Sequence, residues 1–210
     1  SWLNEEWIAA LLEGIFECFN VKEDAEISIE CNPGTLTLNK LLTYRDAGVN
    51  RLSIGLQSTN DEELRLLGRI HTYDQFVKNY EMARNVGYKN ISVDLMYGLP
   101  QQTTEKYLDT VNRIVRLKPD HISAYSLIVE KGTPFYEKYK FDMVKQEAGM
   151  RTEFLPNEDE LYEMEKAGQA QLFDAGYKQY EISNYAKNNM ACRHNIGYWT
   201  GEEYLGIGLG

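Results

Sequence analysis

Apolar and polar positions alternate through Arg51-Leu52-Ser53-Ile54-Gly55-Leu56-Gln57-Ser58. Leu52, Ile54 and Leu56 fall on one face and Arg51, Ser53, Gly55 and Gln57 on the other, because strand side chains alternate with a period of two. Three further runs repeat the split. Residues 26–31 set Ile27 and Ile29 against Glu26, Ser28 and Glu30. Residues 90–96 set Ile91, Val93 and Leu95 against Asn90, Ser92, Asp94 and Met96. Residues 121–128 divide less cleanly, with His121, Ser123, Tyr125 and Leu127 opposing Ile122, Ala124, Ser126 and Ile128. Four strands are predicted, each carrying a serine on its polar face. Beyond each serine stands a larger group, Glu30, Gln57, Asp94 or Tyr125, toward the C-terminal end of the strand. Open α/β sheets and (β/α) barrels bind ligands at that end. Barrel interiors are usually filled by bulky branched side chains, so this row predicts a polar hollow.

Trp7, Ile8, Leu11, Leu12, Ile15, Phe16 and Phe19 recur at helical spacing, predicting an amphipathic helix whose aromatic stripe belongs to the core. Further helices are expected from Leu38 onward and over residues 61–68, 73–86, 104–117 and 158–175. Gly48, Gly87 and Gly176 close three of them in phrases of one shape, Asp46-Ala47-Gly48-Val49-Asn50-Arg51 being the first. Glycine after a last helical turn takes the left-handed conformation before the chain re-enters the sheet. Three such joints predict parallel strands with right-handed connections, an α/β fold. Tyr180-Glu181-Ile182 reads as a short strand. Residues 133–156 lose periodicity and read as a lid or binding loop.

The 210 residues, 43% hydrophobic, suffice for one sizeable domain. A net charge of −10 argues against nucleic acid, whose binding rests on clustered Lys and Arg. No apolar run approaches the ~18 residues of a membrane span, and Ser1-Trp2-Leu3-Asn4-Glu5-Glu6 lacks the pattern of a signal peptide. A cytoplasmic location is therefore expected. Cys18, Cys31 and Cys192 are too scattered for a disulfide framework or a metal cluster. Both ends look cut: the chain opens inside a helical pattern without Met, and Tyr204-Leu205-Gly206-Ile207-Gly208-Leu209-Gly210 reads as an unfinished strand or its glycine turn.

Several residues carry two readings each. Glu30 is either a ligand contact or a partner of Arg51 on the next strand. Asp94 and Gln57 need answering groups, since a buried unpaired carboxylate costs several kcal/mol. Arg69, in Leu67-Gly68-Arg69-Ile70-His71, is placed to take a carboxylate bidentately or is a surface arginine. His71 reads as a loop hydrogen-bonder and His121 as structural. Cys192-Arg193-His194-Asn195-Ile196-Gly197-Tyr198-Trp199 is either an aromatic turn or a haem contact, since His and Cys are axial ligands. Glu30 and Asp94 together also suit general acid and base work in a sugar- or acid-metabolising barrel.

Read in order, Glu30-Cys31-Asn32-Pro33-Gly34, residues 48–57, Leu67-Gly68-Arg69-Ile70-His71, Asp94-Leu95-Met96-Tyr97-Gly98-Leu99-Pro100, His121-Ile122-Ser123-Ala124-Tyr125 and residues 180–210 resemble one family. It is the radical S-adenosylmethionine (SAM) group of oxygen-independent coproporphyrinogen III oxidase-like proteins. The Cys192-Arg193-His194-Asn195 run followed by Tyr198-Trp199 is closer to its haem-chaperone branch than to its oxidase branch. The resemblance implies a partial (β/α) barrel over residues 1–132. It assigns residues 133–210 to a lid-like segment, the last barrel elements and the start of a C-terminal region. Glu30 and Arg69 would engage the amino-acid end of SAM, Gln57 and Asp94 its ribose or nearby polar groups, and Ile128 its adenosyl part. His194 would ligate haem, with Asn195, Tyr198 and Trp199 around it. The family's cofactors are SAM and a [4Fe-4S] cluster that splits SAM to a deoxyadenosyl radical. In the oxidase branch that radical takes hydrogen from a propionate, which becomes vinyl with loss of carbon dioxide. The three cluster cysteines are expected before residue 1, so no catalytic or metal-binding residue is assigned and the stretch alone is expected to be inactive. Implied partners are SAM, haem or a porphyrinogen, and a haem-accepting protein.

Overall fold

A computed structural model describes residues 2–208. Helices begin where a short polar side chain accepts a first-turn N–H. Asn4, Thr37, Asn60, Thr72, Thr103, Thr133 and Asn157 do this for α1 (Glu5–Cys18), α2 (Leu38–Asp46), α3 (Asp61–Leu66), α4 (Tyr73–Val86), α5 (Thr104–Leu117), α6 (Pro134–Glu147) and α7 (Glu158–Asp174). An eighth helix, α8 (Arg193–Thr200), has no side-chain cap. Gly87 closes α4 with φ 106°, a conformation that would strain a residue bearing a Cβ.

Four strands, β1 (Ser28–Cys31), β2 (Arg51–Gln57), β3 (Ile91–Tyr97) and β4 (His121–Ser126), lie side by side in parallel. Leu52, Ile54, Leu56, Ile91, Val93, Leu95 and Ile122 are fully buried. They pack with Leu41, Phe76, Val111 and Ile114 from the covering helices in one core, which leaves the alternate, polar face of the sheet turned away from that layer. The open parallel α/β sheet is that of a partial barrel. No helix among the described residues is long and apolar enough to cross a membrane.

Several expectations are corrected. Tyr180-Glu181-Ile182 is not a strand: it forms the turn between β5 (Lys178–Gln179) and β6 (Asn184–Ala186). The Ser183 N–H donates to Glu181 Oε1 and Gln179 Nε2 donates to the Ile182 carbonyl, closing that turn. The Gly176 joint therefore feeds a hairpin. β6 inserts antiparallel between β4 and β5, and the final sheet order is β1-β2-β3-β4-β6-β5. Residues 133–156 are not a structureless lid, because 134–147 form α6. Asp142, buried on α6, accepts the N–H groups of Glu153, Phe154 and Leu155 and holds the loop beyond the helix. The aromatic stripe of α1 is not core: the helix has no buried residue, and Trp7 is 70% exposed. Its Ile8 and Leu12 are partly buried and lean on the main cluster. The 192–199 run is a helix, α8, rather than a turn. Residues 202–207 form no strand, and Leu209 and Gly210 lie outside the described residues, as does Ser1.

Candidate functional site

The parallel register assembles the polar faces into cross-strand rows. Ser28 lies beside Arg51. One step along, Glu30, Ser53, Ser92 and His121 align, and then Gly55, Asp94, Ser123 and Asn184. Ser28, Arg51, Glu30, Ser53, Gly55, Asp94, Ser123 and Asn184 of these rows floor a cavity of about 1280 Å³, lined also by Gln57, Arg69, Tyr125, Cys192, His194 and Asn195. Gly55 leaves its floor open, since a Cβ there would stand 3.0 Å from Gln57 Nε2.

Of the residues singled out from the sequence, Glu30, Gln57, Arg69, Asp94 and His194 line this one cavity. Ile128 does not. It follows β4 in an irregular segment and is 77% exposed, so the apolar adenosyl contact expected of it is not part of this wall. Gln57 ends β2 at a break in register and adopts φ 76°, a left-handed state that costs a non-glycine residue roughly 1–3 kcal/mol. The Tyr125 hydroxyl donates to Gln57 Oε1 at 2.9 Å and holds the amide over the floor. Arg69 Nη1 donates to Asn32 Oδ1 at 3.2 Å, which aims the guanidinium along the same rim.

Asp94 accepts from Ser53 Oγ at 3.1 Å and from Ser92 Oγ at 3.4 Å. Burial raises its carboxyl above the ordinary value. Hydrogen bonds from Ser123 and Ser53 and the charge of Arg51 oppose that rise. Further donors from a ligand would therefore stabilise the ionised form. In register Ser53 sits beside Glu30 and Ser28 beside Arg51, and Arg51 Nη1 donates to Ser28 Oγ at 2.9 Å. Arg51 is 4% exposed and its Nε has no hydrogen-bond partner, so it is a buried cation in the lining of the cavity. His71 is likewise buried, with Nε2 3.2 Å from the Leu56 carbonyl, and burial lowers its pKa.

The other end of the cavity is built differently. Cys192 Sγ and the Arg193 N–H both reach Glu26 Oε1, at 3.4 and 3.0 Å, just before β1 begins. The Cys192 N–H donates to the Tyr180 hydroxyl, which lies 2.8 Å from His121 Nε2 at the first residue of β4. α8 is thus tied to the N-terminal ends of β1 and β4, while Gln57, Asp94 and Tyr125 stand toward the opposite ends of their strands. On α8 the His194 ring meets Tyr198 edge-on at 4.9 Å, and Tyr198 lies 5.5 Å from Tyr204. Tyr198, Trp199 and Tyr204 are all largely exposed, aromatic surface that the protein interior does not use.

Residues 3–114 match the model of the radical SAM superfamily. The chain belongs to the radical SAM superfamily. It is 38% identical to the haem chaperone HemW of Escherichia coli over 210 residues, all of this chain and 52% of that protein. It is 40% identical to the mitochondrial radical S-adenosyl methionine domain-containing protein 1 of Mus musculus, over 97% of this chain and 44% of that one. The solved coproporphyrinogen III oxidase HemN of Escherichia coli, a radical SAM enzyme, superposes with a TM-score of 0.76 at 29% identity, covering 95% of this chain and 43% of that structure. The chain spans about half the length of the curated relatives it matches. Superfamily membership implies SAM and a [4Fe-4S] cluster.

The residues fit the two groups unequally. The carboxylates of Glu30 and Asp94, the Arg69 guanidinium and an open glycine floor suit the amino, carboxylate and hydroxyl groups of SAM. The thiols do not suit a cluster. Cys18 is exposed, Cys31 is buried with its pKa pushed up to about 12 by that burial, and Cys192 is occupied with Glu26. Among the described residues no set of three His, Cys, Asp or Glu side chains converges on a point that could hold a metal ion.

Proposed function

We propose that this protein is a haem chaperone of the HemW kind, built on a radical SAM scaffold. The observation that carries the reading is α8. It presents His194 on the wall of the cavity floored by Asp94, with Tyr198, Trp199 and Tyr204 forming an uncovered aromatic surface beside it. An imidazole beside exposed aromatic side chains suits an axial haem ligand. The haem chaperone names of relatives 37–39% identical over nearly the whole chain support it.

In this reading His194 ligates haem, and Asn195, Tyr198 and Trp199 surround it. At the other end Glu30 and Arg69 take the amino-acid part of SAM, while Gln57 and Asp94 take its ribose. When bound with its cluster, SAM supplies one-electron chemistry. What this chain contributes is orientation: Tyr125 fixes Gln57, Asn32 fixes Arg69, and Ser53 and Ser92 fix Asp94. Partners are SAM, haem and a haem-accepting protein. The fold of HemN favours a second reading, in which a porphyrinogen fills the cavity and loses carbon dioxide from its propionates.

Two measurements on the full-length protein test the assignment. His194→Ala should weaken haem binding at least about tenfold, some 1.4 kcal/mol, and shift the Soret band. Equal binding by both proteins removes His194 as ligand, and conversion of propionate to vinyl on coproporphyrinogen would favour the oxidase reading. Glu30→Gln should weaken SAM by about tenfold in calorimetry, and unchanged affinity would reject its role.

A further inference from the structure

α8 is an eight-residue helix with no buried residue and no side-chain N-cap. Isolated helices of that length are marginal in water, so neither packing nor propensity fixes where it points. Polar tethers must do so. Two come from Glu26 and Glu181, the latter accepting from Trp199 Nε1 at 3.1 Å, and another is the exposed pair of Arg193 with Asp24 at 3.2 Å. The Tyr180 hydroxyl differs from these in being anchored to the sheet interior.

Counting donors fixes the direction of every bond in that anchor. A phenol has one proton to give and two lone pairs. The Tyr180 oxygen accepts from the Cys192 N–H at 3.2 Å and from Asn195 Nδ2 at 3.4 Å, so its own proton goes to His121 Nε2 at 2.8 Å. The imidazole then carries its hydrogen on Nδ1 and donates to Ser92 Oγ at 2.8 Å, which in turn donates to Asp94 Oδ1 at 3.4 Å. The chain of donors runs from α8 to the cavity floor without a break. Burial, with the charge of Arg51, pushes His121 down to about 3. The ring stays neutral and keeps the one tautomer this chain requires.

We infer that Tyr180, oriented by His121, is a positioning residue that sets the first turn of α8 and with it the direction in which His194 is presented. Tyr180 meets the proposed haem surroundings through Asn195. The consequence for haem rests on the proposed function. The consequence for α8 does not.

The test separates the two. In the full-length protein without haem, Tyr180→Phe removes one oxygen, and His121→Leu removes the acceptor that orients it. His121→Gln keeps an acceptor near the Nε2 position. Amide hydrogen exchange within residues 193–200 should rise about five- to tenfold in Tyr180→Phe and His121→Leu, in keeping with the loss of one or two hydrogen bonds. It should return most of the way in His121→Gln, while exchange in β2 and β3 stays put. Unchanged exchange in α8, or an equal rise throughout the sheet, overturns the inference. Haem titration adds the second arm. Tyr180→Phe should weaken haem several-fold in the wild-type background and not at all in His194→Ala, a coupling that a double-mutant cycle reads directly. If α8 loosens but haem binding is indifferent to both residues, the positioning role stands and the haem ligand is wrong.

Discussion

At the scale of single residues, the cavity floor is set by how buried polar groups are answered. Asp94 and His121 are both shifted chiefly by burial, in opposite senses, and their effects on stability follow opposite signs. An unfolded imidazole titrates near 6.5, whereas folded His121 is held down to about 3, so on acidification the unfolded chain takes up the proton first. The stability due to the neutral ring is complete above the unfolded value. It drains as pH falls from there toward about 3, by at most ~1.4 kcal/mol per pH unit. Asp94, whose folded value is raised, relieves a penalty as pH falls through that value. Thermal unfolding should therefore show a falling midpoint between about pH 6.5 and pH 5, and His121→Gln should flatten the slope. A slope that survives the substitution would place the acid sensitivity elsewhere. Glu30, Gln57, Asp94 and Arg69 were visible as chemistry because each interrupts an apolar rhythm or follows a glycine. The burial of Arg51 and the shared hydroxyl of Tyr180 were not, because both show only once neighbouring strands and the hairpin turn are in place.

At the scale of elements, local signals did well where the period was regular. The alternation in residues 51–58 and 90–96 pointed to β2 and β3 within a residue at either end, and the heptad-like spacing of Tyr107, Val111 and Ile114 pointed to α5. α6 escaped because its apolar positions do not gather on one face: Tyr139 is buried while Phe141 and Val144 are exposed. The mirror-image error was α1, where a well-formed stripe exists and nothing in the described residues fully covers it. A stripe tells which face is apolar and never what meets it. Packing between α5 and α7 rests on Gly168, where a Cβ would come within 2.6 Å of the buried Tyr107 ring. Gly168→Ala gains up to ~1 kcal/mol of helix propensity yet overpacks this crossing by about 1–3 kcal/mol. A lower urea midpoint is expected. Gly14→Ala on α1, with nothing within 4 Å of its Cβ, should raise the midpoint instead, and matching behaviour of the two variants would contradict this account of the crossing.

At the scale of the whole molecule, the sheet is one cooperative floor with loosely held elements at its margins. β2 and β3 are paired on both sides and their apolar residues are fully buried, whereas α1 and α8 bury no residue. Native-state hydrogen exchange should rank β2 and β3 slowest and α1 and α8 fastest. Protection of α1 equal to that of β3 would mean that its exposed stripe is covered in solution. The same architecture puts the two halves of the candidate site at opposite ends of the strands. Glu30, Gln57, Asp94 and Tyr125 come from four separate strands, and the tether of α8 comes from a hairpin that the repeated glycine joint did not foretell. The sequence by itself determined the α/β class, which strand faces are polar and the ordered motifs of the family, since side-chain alternation and helical periodicity are properties of consecutive residues. Which rows align, that β6 turns back against β4, that Ile128 stays outside and that His121 reaches α8 through Tyr180 were decided only by the tertiary structure, because register, burial and hydrogen-bond direction depend on groups that meet across the fold rather than along the chain.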